Sequence, residues 1–124
     1  MPNITPTEHA EQVALFHWAR LMSNRWPLLQ TMFAVPNGGA RHIAVARKLK
    51  AEGVSAGVPD IFLPVPTDKY HGLFIEMKRT KGGRVSIDQK WWIDNLRING
   101  YRVEVCEGCA EATKVITEYL EEIA

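Results

Sequence analysis

Two short apolar runs, Ile61-Phe62-Leu63 and Leu73-Phe74-Ile75, constrain this chain more than any other feature. Both are β-prone. Pro59 and Pro64 bracket the first so closely that it cannot continue in the middle of a ladder, and the Pro/Asp/Lys-containing stretch 64–71 reads as the turn between them. The pair therefore predicts a hairpin. Asp60 enters the first run, Glu76 leaves the second, and Lys78 lies two residues further on, on the same face as Glu76 by the period of a strand. If the hairpin pairs Asp60 near Glu76, three charges meet at one edge of a sheet.

The remaining chain supplies the elements that cover such a sheet. Residues 5–22 read as a helix capped by Thr7, with Leu15, Trp18, Ala19 and Met22 at three- and four-residue spacing. Residues 31–35 read as a buried strand or extended segment stopped by Pro36-Asn37-Gly38-Gly39, and residues 40–52 as a basic helix ending at Gly53. A helix from Ser86 to Asn99-Gly100, an alternating strand from Tyr101 to Cys106 and an amphipathic helix from Ala110 to Ile123 complete the order. This order predicts an α/β fold with a central mixed sheet flanked by helices, in a single domain over residues 1–124. Neither a basic-then-apolar leader nor an apolar run long enough for a membrane is visible, so the expectation is a soluble, cytoplasmic protein with no membrane partner. Fifteen Lys+Arg against fourteen Asp+Glu give a net charge of +1, which neither demands nor forbids a polyanion.

Two carboxylates sharing one edge repel each other unless a cation intervenes. Asp60 and Glu76, with the backbone carbonyl of Met77 and waters, make the oxygen-rich shell that Mg²⁺ or Mn²⁺ prefers. The bland reading is a surface hairpin in which Glu76 and Lys78 form a solvated pair. Placement argues against it, because both acids adjoin apolar runs where an unpaired charge costs several kcal/mol.

Val58-Pro59-Asp60 and Ile75-Glu76-Met77-Lys78, with fifteen residues between the two acids, resemble the PD-(D/E)XK nuclease signature. The surrounding Val35-Pro36-Asn37-Gly38-Gly39, Gly53 to Asp60, Lys81-Gly82-Gly83-Arg84 and Ser86 to Trp92 are similar to its VRR-NUC branch, the virus-type replication and repair nucleases, over about residues 7–120. That resemblance implies a restriction-endonuclease-like α-β-β-β-α-β core, Mg²⁺ or Mn²⁺ as cofactor, and structure-selective cleavage of branched DNA such as Holliday junctions or flaps by a homodimer in a bacterial or phage-infected cell. It maps Asp60 and Glu76 onto the metal-binding acids, Lys78 onto the catalytic lysine and Gln89 onto the following helix glutamine. It also implies an acid on the first helix, for which both Glu8 and Glu11 qualify; Gln12, one turn beyond Glu8, favours Glu8.

DNA contacts are expected from Asn37, Gly38, Gly39 and Arg41 at the glycine-rich turn, from Arg47 and Lys48 on the next helix, and from Lys81 and Arg84 after the E-x-K strand. A glycine turn feeding a helix offers N–H groups to phosphate, and arginines add bidentate bonds. Cys106 and Cys109 form a C-x-x-C, but one pair without histidines at ligand spacing makes no zinc site, and a redox pair is the weaker reading. The competing function is a catalytically silent DNA-binding or assembly module on the same fold, which a missing acid or lysine would signal.

Overall fold

The computed structural model describes residues 5–36 and 43–123. Thr7 caps α1 (Glu8–Met22) by accepting the Ala10 N–H at 3.0 Å. A 3₁₀ turn (Pro27–Thr31) leads to β1 (Phe33–Ala34), followed by α2 (Ile43–Ala51), β2 (Ile61–Leu63), β3 (Leu73–Lys78), α3 (Ile87–Ile98), β4 (Arg102–Glu107) and α4 (Cys109–Glu121). The sheet order is β1-β2-β3-β4. The first two pairings are antiparallel and β3–β4 is parallel, as a crossover through α3 requires. An α-β-β-β-α-β core is thus present, with α2 inserted after β1 and α4 added at the end.

Register explains the placement of the acids. Ile61 pairs with Ile75, Phe62 with Phe74 and Leu63 with Leu73, so the residue before Ile61 lies across from the residue after Ile75. On β3, Leu73, Ile75 and Met77 enter a core with Leu15 and Ala19 of α1 and Ile116, Tyr119 and Leu120 of α4. Burying each such side chain contributes roughly 1.5–3 kcal/mol. Tyr119 keeps its hydroxyl satisfied inside this core by donating to the Val65 carbonyl at 2.6 Å. The alternate residues Phe74, Glu76 and Lys78 take the other face, where Phe74 stacks on Phe62 with ring centroids 4.2 Å apart.

One element differs from expectation. The segment 31–35 pairs through only two residues, both exposed; Met32 is the buried one, because the 3₁₀ turn sends it inward before the edge strand begins. The described part of the second helix, α2, buries no residue, which suits its Arg47, Lys48 and Lys50.

Candidate active site

Glu76 and Lys78 are the two charged side chains buried among the described residues, at 2% and 7% exposure. The hairpin register brings Asp60 beside Glu76, and the Met77 N–H donates to Asp60 Oδ2 at 2.8 Å, which pins that carboxylate to β3. Gln89 closes the group from α3. Its Oε1 accepts from Lys78 Nζ at 2.9 Å, and its Nε2 donates to Glu76 Oε2 at 3.2 Å. Lys78 Nζ stands 3.6 Å from the same Glu76 oxygen.

Local sequence fixes Gln89 in that role. Ser86 and Gln89 form a reciprocal capping box: the Gln89 N–H donates to Ser86 Oγ at 3.1 Å, and the Ser86 N–H donates to Gln89 Oε1 at 2.9 Å. One amide therefore starts the helix and bridges the acid to the lysine. Gly83 passes so close that a Cβ there would sit 3.0 Å from Lys78 Cβ, so the loop after β3 walls in the lysine stem.

Glu76 Oε1 is buried and accepts no hydrogen bond. Burial is the first cause that pushes the Glu76 carboxyl up to about 9; the Asp60 carboxylate beside it adds to this by contact and by charge, and Glu8 adds a smaller push, while Lys78 opposes. Without a cation this carboxyl holds a proton at neutral pH. A buried, unsatisfied oxygen beside a second carboxylate fits an oxygen-coordinated dication. Asp60, Glu76 and the Met77 carbonyl are the groups that would hold it. Among the described residues no group of three or more His, Cys, Asp or Glu side chains is arranged to cage an ion, so these two carboxylates and one backbone carbonyl would be the protein's share of the shell.

The two first-helix acids part company. Glu11 Oε2 accepts the Cys109 N–H at 2.8 Å, so this carboxylate caps α4 at its N-terminus; a Cβ on Gly108, whose φ is +93°, would collide with it. Glu8 instead lines an open cleft of about 640 Å³ with His9, Gln12, Arg20, Ala34 and Asp60. A second cleft, of about 470 Å³, shares Glu8 and His9 and is bounded by Thr7, Arg79, Gly83 and Arg84.

The expected DNA contacts are more scattered. Asn37, Gly38, Gly39 and Arg41 lie outside the described residues. Arg47 and Lys48 are on exposed α2, whose Ala46, Leu49 and Lys50 line a separate cleft with Ser55 and Asp88. Lys81 is exposed in the turn after β3, and Arg84 lies at the second cleft. Arg20 and Arg79 were not singled out in the sequence. The signal for Arg20 is helical phase: Glu8, Gln12, Phe16 and Arg20 recur every four residues. Cys106 and Cys109 are free thiols, and burial pushes Cys106 up to about 12 and raises Cys109 as well, so neither has the low-pKa character of a redox cysteine.

A model of the VRR-NUC domain matches residues 7–110. Among solved structures, a VRR-NUC domain protein superposes with a TM-score of 0.79 at 29% sequence identity, covering 95% of this chain and 91% of that one. No curated protein matches the chain.

Proposed function

The chain belongs to the VRR-NUC family of nuclease domains, and from that premise we propose that it is a Mg²⁺- or Mn²⁺-dependent endodeoxyribonuclease that hydrolyses phosphodiesters at branched DNA such as Holliday junctions or flaps. The observation that carries this reading is the orphaned Glu76 Oε1, buried beside Asp60 and within one hydrogen-bonded set with Lys78 and Gln89. The dication, when bound, supplies Lewis-acid stabilisation of charge developing on the phosphate. The chain's own groups do the rest. Asp60, fixed by the Met77 N–H, and Glu76, fixed by Gln89, hold their oxygens in one place without further reorganisation. Lys78, steered by Gln89 Oε1, orients the attacking water or neutralises charge on the pentacovalent phosphorus. Selectivity for branch points then comes from DNA shape, which phosphate contacts sense without reading base edges.

A homodimer, acting in the cytoplasm of a bacterial or phage-infected cell, completes the reading. Ile87, Trp91 and Ile98 form an exposed apolar stripe on α3. Lys90 and Asp94 accompany it with opposite charges, so an antiparallel pairing brings Lys90 of each copy toward Asp94 of the other. Among the described residues no helix is long and apolar enough to cross a membrane.

Labelled duplex, flap and four-way junction substrates, incubated with Mn²⁺ or with EDTA, test the whole. We expect metal-dependent cutting of the branched substrates, symmetric on two strands of the junction, and its loss in Glu76→Gln and Lys78→Ala. No metal-dependent product on any substrate, or undiminished cutting by both variants, refutes it.

A further inference from the structure

Two clefts share Glu8 and His9; Asp60 and Arg20 line one of them, and Arg79 and Arg84 line the other. Resting on the nuclease reading, we infer that one strand of the substrate crosses the site along this trough, its backbone phosphates held by Arg20 on one side of the scissile bond and by Arg79 and Arg84 on the other. The charge order suits such a ligand. Glu8 belongs to both clefts and Asp60 to one, where only a cation-bridged phosphate can sit, whereas Arg20, Arg79 and Arg84 each line a single cleft, where phosphates bind directly.

Among the described residues none of the three arginines forms an ion pair, so their charge is available to an external anion. Arg20 faces the cleft that Asp60 and Glu8 also line. Val13 and Phe16 give the Arg20 end an apolar floor, against which sugars or unpaired bases pack. Length sets the class of ligand. Arg20 is twelve residues from Glu8 on α1, roughly 18 Å at the helical rise, a length that only several successive nucleotides of a strand can cross. A mononucleotide or free phosphate reaches only the centre. The ligand is a polynucleotide strand that extends several residues beyond the cut.

The test separates strand binding from chemistry. With Ca²⁺ in place of Mn²⁺, fluorescein-labelled flap DNA is titrated with wild type, Arg20→Gln, Arg20→Lys and Arg79→Gln/Arg84→Gln over a range of salt, and Mn²⁺ binding is followed calorimetrically on each protein. Removing each arginine should weaken DNA binding about three- to tenfold and lower the salt slope by about one. Arg20→Lys should recover most of the slope. The Arg20→Gln defect should vanish when one arm is cut to fewer than about four nucleotides past the cleavage point. Mn²⁺ binding should stay at the wild-type value throughout. Equal affinity and slope in wild type, Arg20→Gln and Arg79→Gln/Arg84→Gln, with wild type binding DNA, overturns the trough and leaves the nuclease reading standing. Failure of wild type to bind any DNA overturns both.

Discussion

The two faces of β3 come from one six-residue strand and obey opposite rules. Toward α1 and α4, Leu73, Ile75 and Met77 are fully packed among apolar neighbours. Toward α3, the same backbone carries Glu76 and Lys78 into nearly equal burial, with Gln89 as their common partner and one carboxylate oxygen left unsatisfied. The first face stabilises the fold. The second destabilises it in the absence of a cation, because a buried carboxyl pushed up to about 9 must keep a proton that the unfolded chain releases. Strain concentrated at the end of an interior strand of a stable sheet is how a fold holds a reactive group ready for a ligand.

The sharpest way to separate the faces is a pair of substitutions one residue apart. Glu76→Gln should lower cleavage about a thousandfold or more, since several kcal/mol of charge stabilisation depend on that ligand and about 1.4 kcal/mol is tenfold. It should also raise the stability of the metal-free protein at pH 8. The sign follows from the raised carboxyl: wild-type stability is fully present below about 4.5 and is lost as pH rises towards about 9, whereas a glutamine has no proton to lose. Ile75→Ala should do the reverse, costing about 2–5 kcal/mol in denaturant unfolding while leaving the metal requirement of the remaining folded protein unchanged. Parallel pH dependence in Glu76→Gln and wild type would break the contrast.

A smaller effect tests the same division on α1. Glu11→Gln should cost about 1 kcal/mol of stability by weakening the cap of α4, with cleavage by the folded protein little changed. Glu8→Gln should leave the denaturation midpoint within about 0.5 kcal/mol and alter cleavage instead. Exchange of these two phenotypes would reverse the assignment of the two acids.

How much of this was legible in the sequence depends on how far apart the interacting residues lie. The hairpin and the meeting of Asp60 with Glu76 follow from prolines, apolar runs and a two-residue period, all within eighteen residues. The capping box at Ser86 and Gln89 is equally local, although its second role as a bridge between Glu76 and Lys78 comes from the crossover that returns α3 over β3. The fate of Glu11 rests on Cys109, 98 residues away, and no pattern near Glu11 reveals a helix start arriving there. The brevity of β1 was hidden for a different reason: the apolar composition of residues 31–35 suits a strand, but the turn before it uses Met32 for packing and leaves Phe33 and Ala34 on an edge. Arg79 adjoins the E-x-K motif, yet only the fold of the following loop shows that it borders the same cleft as Glu8.

Calorimetric titration of Mn²⁺ into the protein at pH 7.5, repeated in buffers of different ionisation enthalpy, examines the acid pair itself. One saturable ion per site should bind with release of about one proton, because Glu76 must give up the proton that burial and Asp60 make it hold, and affinity should climb with pH up to about 9. Glu76→Gln should abolish both the binding and the release. Binding that persists in Glu76→Gln, or that proceeds in wild type with no proton released, would contradict an ion seated on Asp60 and Glu76.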